Sequence, residues 1–156
     1  MNKICNILKA FVLTAAALCL ASCKMNEVKV TSCDIAQVMP TGFRSARITL
    51  SLGVDNPARE FSVTDIQAVV KLSGEEAGIL KADDVTVKAR TSQTYTIPVQ
   101  ANLTGDALHS VFDVTKITDY SQVTVDFSAT LRSGIFFVKK FQFTDIPLQE
   151  FANQFR

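Results

Sequence analysis

The chain has 156 residues, 16 basic and 15 acidic side chains, a net charge of +1, and is 47% hydrophobic and 20% charged. That length gives one ordinary domain with an appendage, and the composition excludes a disordered chain. A charge balance so near neutrality offers no basic footprint for nucleic acid.

Met1 to Ser22 reads as an export signal. Lys3 and Lys9 make a basic start, and no charge follows from Ala10 to Ser22. The apolar core "AFVLTAAALCL" is 11 residues long. A signal core needs ~7–15 residues and a spanning helix ~20. It ends in "LASC", Leu20-Ala21-Ser22-Cys23, which resembles the lipobox of bacterial lipoproteins. Small residues let the backbone enter a peptidase cleft, and the thiol accepts a diacylglyceryl group. The resemblance implies cleavage before Cys23, which becomes the acylated first residue, with 23–27 as anchor and tether. Two or three acyl chains hold stably, since each buried CH₂ adds ~0.8 kcal/mol and one chain alone is marginal. The alternative is ordinary cleavage after "LAS" and a soluble secreted protein. Lys24 is not the Asp that retains many lipoproteins at the inner membrane, so the expected location is the outer membrane of a bacterial envelope. Without Met1–Ser22 the chain has 14 basic and 15 acidic residues, net −1, and no electrostatic steering is expected of it.

Cys5 and Cys19 leave with the signal and Cys23 is taken by lipid, so only Cys33 remains and no internal disulfide is expected. One thiol and one histidine cannot build a zinc site. Cys33 reads as a small buried hydrophobe, with a reactive thiol as the alternative.

From Val28 onward the dominant period is two. "VKVTSCDI" comes first. In "RITLSLGV", Ile48, Leu50, Leu52 and Val54 share one face and Arg47, Thr49 and Ser51 the other. "FSVTDIQAVVKL" and "DVTVKA" follow. In "TYTIPVQANL", Tyr95, Ile97, Val99 and Ala101 alternate with Thr94, Thr96 and Gln100. In "QVTVDFSATL", Val123, Val125, Phe127, Ala129 and Leu131 alternate with polar residues, and "FFVKKFQFTDI" closes the set. These are half-buried antiparallel strands by pattern and by composition. Pro98, inside a strand pattern, predicts an edge or a bulge. "DNPARE", "SGEEAG" and "KADD" read as turns, and "RSG" as the turn of a final hairpin. About seven short strands at this spacing predict an all-β, two-sheet antiparallel sandwich.

Two segments break the period. "GDALHSVFDVTKI" places Leu108, Val111 and Phe112 at helical spacing with Asp106 as cap, a short helical insertion. "PLQEFANQFR" places Leu148, Phe151 and Phe155 on one face, with Pro147 near its start. It predicts a short C-terminal helix on the sandwich, with an exposed partner or membrane contact as the alternative.

From about Val28 to Pro147, within a domain taken as residues 28–156, the chain resembles the late embryogenesis abundant type 2 domain, also called the WHy (water stress and hypersensitive response) domain. The strand running into "VDNPARE" is similar to the family's Val-x-Asn-Pro signature, at Val54, Asn56 and Pro57. "FSVTDIQAVVKLSGEEAG" resembles its long strand ending at a glycine turn, and "TIPVQANL" its "x-Val-Pro-Val" strand. Ala58-Arg59 depart from the small polar residue that often follows the proline. Pro57 fixes φ and has no N–H, so a strand must stop there. Asn56 is held extended before it, with a side chain that can bond nearby backbone. The resemblance implies an immunoglobulin- or fibronectin-III-like sandwich, a role in stress protection, and no catalytic residues. Fold analogy alone gives no function.

The other constellations are weak. His109, beside Ser110 and four residues before Asp113, lacks the convergent partners and the nucleophile elbow of a hydrolase. Glu75-Glu76 and Asp83-Asp84 lack an alternating calcium loop. "NLT", Asn102–Thr104, is a glycosylation sequon that matters only in a eukaryotic secretory route. The unusual stretch is "GIFFVKKFQF". Phe136 and Phe137 point opposite ways on a strand, so Phe136, Phe137, Phe141 and Phe143, with Phe151 and Phe155, form a candidate apolar surface rimmed by lysines. Core packing under the C-terminal helix is its alternative.

These readings converge on a lipid-anchored envelope protein with a non-catalytic β-sandwich as a structural or binding module. The alternatives are a carrier of a lipid or other apolar ligand between the sheets, and an accessory subunit of an envelope complex. Its expected partners are the membrane, through the acyl anchor, and an envelope protein. No cofactor or metal is implied, and oligomeric state is left open.

Overall fold

The structure, a computed structural model, describes residues 28–104 and 121–148. They hold eight strands: β1 (Lys29–Gly42), β2 (Ser45–Asn56), β3 (Phe61–Leu72), β4 (Glu75–Ala82), β5 (Val85–Val87), β6 (Thr91–Leu103), β7 (Val123–Ser133) and β8 (Phe137–Pro147). Every ladder is antiparallel. The order is β1-β2-β6-β4-β3-β7-β8, with β5 also on β3. β4 joins two arms, pairing with β6 along Gly78–Ala82 and with β3 along Glu75–Lys81.

The period-two pattern sets what is buried. On β7, Val123, Val125, Phe127, Ala129 and Leu131 are all buried. On β2, Leu50, Leu52 and Val54 are buried, and Leu50 lies opposite Ile97 of β6. Both arms contribute to one hydrophobic core cluster. A lone sheet leaves one face wet, yet Val125 and Leu131 are only 2% exposed. Apart from the helical Leu148, strands are the only elements among the described residues, and residues of both arms meet in that one core.

Registers fix which ends meet. Lys29↔Asp55, Asn56↔Thr91, Phe61↔Val87, Ser62↔Arg132 and Ser133↔Phe137 lie where β1 begins, the near end. Ser45↔Asn102, Gly78↔Leu103, Leu72↔Val123 and Thr124↔Pro147 lie at the far end.

Three expectations are corrected. The strands number eight, because "EEAGILKA" is β4 and not a turn. The turn is Ser73-Gly74 alone, both at positive φ, as a two-residue hairpin loop between Leu72 and Glu75 requires. β1 runs on from Ile35 to Gly42, past the end of its buried face. Pro98 sits in an interior strand, opposite Thr49. Its carbonyl accepts from Asp83 N at 3.0 Å, just beyond the last β4–β6 pair at Ala82↔Val99. Proline cannot return that bond to Asp83, and the β4–β6 ladder ends there. The export signal with Leu20, Ala21, Ser22 and Cys23, the predicted helix around His109, and the predicted C-terminal helix with Phe151 and Phe155 lie outside the described residues.

Candidate functional site

The near end is built around Asn56. It is 0% exposed, and all its polar capacity is directed at backbone. Its Oδ1 accepts from Ala58 N at 3.0 Å, and its Nδ2 donates to Arg59 O and to Lys88 O, each at 3.0 Å. The side chain thus closes the turn that Pro57 begins and ties it to the β5–β6 link, 32 residues on. That link is pinned again, since Lys88 N donates to the Tyr95 hydroxyl at 3.0 Å. Ser133 Oγ donates to Glu60 O at 3.1 Å, which joins the base of the β7–β8 hairpin to the same platform. The Val54, Asn56 and Pro57 positions are therefore architectural: Val54 is in the core and Asn56 locks the loops.

From this platform the β7–β8 hairpin projects an apolar tip. Its last pair is Ser133↔Phe137, which leaves Gly134, Ile135 and Phe136 as a three-residue loop. Gly134 takes φ +65 with open space around it, which suits glycine alone at little cost. Ile135 is 88% and Phe136 96% exposed, and Phe137 and Val138 are about half exposed. Turns normally carry Gly, Asn, Asp, Ser or Pro at such positions. The aromatic group expected in this stretch divides. Phe141 is buried and belongs to the core, not to a surface; Phe143 is half-buried, packed on that core and stacked with Phe141, ring centres 6.4 Å apart. Only Phe136 and Phe137 stand outside. Lys139 Nζ lies 5.2 Å from the centre of the Phe141 ring.

Charge is polarised, contrary to the even surface expected from composition. The near end carries Lys29, Arg59, Lys88, Arg90, Arg132 and Lys139, all exposed, against Asp55 and Glu60. Six cations against two anions give a local charge of +4 on a chain that is −1 from Cys23 onward.

The remaining candidates stay apart. Glu75 and Glu76 are exposed at the far end, Asp83 and Asp84 on the β4–β5 link. Among the described residues no group of acids, Cys or His is arranged to hold a metal. Cys33 is a buried thiol on β1. Lys71, Asp126 and Asp145 form an ion cluster, with Lys71 Nζ 2.7 Å from Asp126 and 3.3 Å from Asp145. The Asp145 N–H donates to Asp126 at 2.8 Å. That bond first, and Lys71 second, hold the Asp126 carboxyl below its usual range, and the Lys71 ammonium is raised chiefly by its bond to Asp126. The cluster sits on the bulge between Val125 and Phe127, and its role is to brace that irregularity.

Ile135 and Val138 were not singled out by the sequence reading, nor were Val38, Met39 and Phe43, the exposed apolar residues of the β1–β2 hairpin. The available signal was a turn whose central positions are apolar: "GIF" after Ser133, and "GFR" before Ser45.

No protein-family model and no curated protein matches the chain. Among solved structures it is similar to a protein from Archaeoglobus fulgidus, with 17% identity and a TM-score of 0.46 over 74% of this chain and 97% of that one. It is also similar to the yeast GGA1 GAE domain, with 6% identity and a TM-score of 0.32 over 74% and 96%. Likenesses this distant assign no function. Among the described residues no helix is long and apolar enough to cross a membrane.

Proposed function

We propose that this chain is a lipid-anchored bacterial envelope protein whose body is a non-catalytic binding or structural module. The observation that carries the reading is positional. "LASC" ends an uncharged run of signal length, and the first strand opens at Lys29, six residues after Cys23. Acylation there sets the body directly at a membrane, by the outer membrane on the Lys24 argument. The antiparallel sheet closed over one core supports an immunoglobulin- or fibronectin-III-like sandwich of the late embryogenesis abundant type 2 (WHy) kind, which in turn supports envelope stress protection as the role. The non-catalytic reading is supported by the Asn56 turn, the most elaborate polar arrangement described, whose side-chain bonds all go to the chain's own backbone.

Intact mass of the membrane-extracted protein tests this. The expected species begins at Cys23 and carries diacylglyceryl with or without a further acyl chain. Cys23→Ala should leave it unprocessed. A mature species starting elsewhere, or Cys23 without lipid, sinks the anchor.

A further inference from the structure

We propose that the near end of the fold faces the bilayer, and that the β7–β8 tip, Ile135 to Val138, inserts into the interface of an anionic lipid surface. The proposal rests on three features, the second of which takes the anchor reading as given.

The first is the tip itself. Ile135 and Phe136 are almost wholly exposed at the end of a short loop, with Phe137 and Val138 half exposed behind them. Apolar side chains on a narrow protrusion gain little by staying in water and gain on entering the headgroup–acyl boundary. The loop is held from below: Ser133 is bonded to Glu60 O, and the adjoining loop is locked by Asn56. The tip therefore enters without first having to order its base.

The second feature is where the chain emerges. β1 begins beside Asp55, at the same end as Ser133 and Phe137. Cys23 and Val28 are five residues apart in sequence, which spans at most about 18 Å even fully extended. A body tethered that closely presents its near end to the membrane. The far end differs: β1 does not begin there, and it carries the exposed acids Glu75 and Glu76. Apolar Phe43 at that end stands next to Arg44, whose carbonyl accepts from Leu103 N at 2.7 Å, and none of the six cations lies there.

The third feature is charge. The six cations and two anions share the tip's end of the sheet, and Arg132 and Lys139 lie within two residues of the last hairpin pair. Basic residues around an apolar wedge are the arrangement that binds anionic headgroups, and each acts within a Debye length of the surface. A protein partner would fit the apolar tip; the excess of cations at this end and the short tether favour lipid.

The anchored protein itself supplies the test, reconstituted into phosphatidylcholine vesicles with and without phosphatidylglycerol. Phe136→Cys carries a nitrobenzoxadiazole label, and Glu75→Cys at the far end is the control. Acylation of Cys23 and burial of Cys33 confine the label to the new thiol. The expected result is a blue shift and quenching by lipid-borne nitroxides at position 136 alone, stronger with phosphatidylglycerol. Arg59→Glu with Lys88→Glu should remove most of that gain. Intact mass on the same sample separates the two readings: an acylated protein with a water-exposed label at 136 overturns the tip and keeps the anchor. An unacylated protein in which Phe136→Trp, the lone tryptophan of the chain and blind to a freed Cys23 thiol, is still quenched overturns the anchor and keeps the tip. Quenching indifferent to phosphatidylglycerol overturns the anionic surface. Self-association lost on Ile135→Ser with Phe136→Ser, without quenching, assigns the tip to a second copy and overturns the proposal.

Discussion

The β1–β2 and β7–β8 hairpins both carry bare aromatics past the core, yet they sit at opposite ends of the sheet. Phe43 is 97% exposed and Phe136 96%, so exposure does not separate them. Their surroundings do. The β7–β8 tip stands on a platform locked by Asn56, at the end that carries six cations and where β1 begins. The β1–β2 tip is held at its turn by Leu103 N donating to Arg44 O at 2.7 Å and by an exposed Thr41–Ser45 hydroxyl bond. An exposed apolar side chain becomes informative only through what fixes it and what else is near it.

The largest effect that sharpens this comparison lies within one hairpin. Phe141→Ala removes a core ring and should destabilise by about 3–5 kcal/mol, read as a lowered urea midpoint. Phe136→Ala, five residues away, should change stability by less than about 0.5 kcal/mol. Comparable losses at the two positions would mean that the tip packs on its own fold, and the contrast between base and tip would vanish.

Next in size is the platform. Asn56→Ala leaves the Ala58 N–H and the Arg59 carbonyl without the partners described for them, and takes one donor from Lys88 O. Its expected cost is about 2–4 kcal/mol, at roughly 1–3 kcal/mol per buried unpaired group with partial relief by water. Thr41→Ala, at the other hairpin, breaks an exposed hydroxyl pair and should be nearly silent. Hydrogen exchange gives the local reading: the amides of Ala58 and of the Lys88–Arg90 link should lose protection in Asn56→Ala while those of the β1–β2 turn do not.

The sheet was legible wherever burial alternates. Leu50, Leu52 and Val54 on β2, and Val123 to Leu131 on β7, are core residues that periodicity alone marks. β4 was illegible because its residues answer to two neighbours. It opens with exposed Glu75 and Glu76, its buried position is Gly78, and it pairs on both edges, so neither apolar alternation nor β-branched content announces it. The Asn-Pro turn was readable as a stop, but the bond to Lys88 was not, since a partner 32 residues away has no local trace. Polarity of charge was invisible for the same reason: Lys29, Arg59, Lys88 and Arg132 are scattered in sequence and gathered only by strand registers. The aromatic run showed that something unusual occurs near Phe136. It could not assign Phe141 inward and Phe136 outward until the turn position was fixed at Gly134.

The smallest expected effect concerns the opposite end of β8 from its tip. Asp126 and Asp145 meet across the bulge, and Lys71 reaches both from β3. The Asp145 N–H and the Lys71 ammonium hold the Asp126 carboxyl below its usual range. A carboxyl depressed in the folded state gives stability that is complete above its unfolded pKa, about 3.9, and is lost as pH falls through the lower folded value. The group is solvent-accessible, so screening keeps the effect small. Asp126→Asn keeps an oxygen for the Asp145 N–H and loses the ion pair. It should lower Tm at neutral pH by no more than a few degrees, and its urea midpoint should fall less steeply than the wild type's on acidification below about pH 4. The variant should leave the label at position 136 unchanged, because the tip is held by Ser133 and Gly134 and not by the bulge. A shift in that label would show that bulge and tip move as one body, and the division of the hairpin into a braced base and a working tip would be wrong.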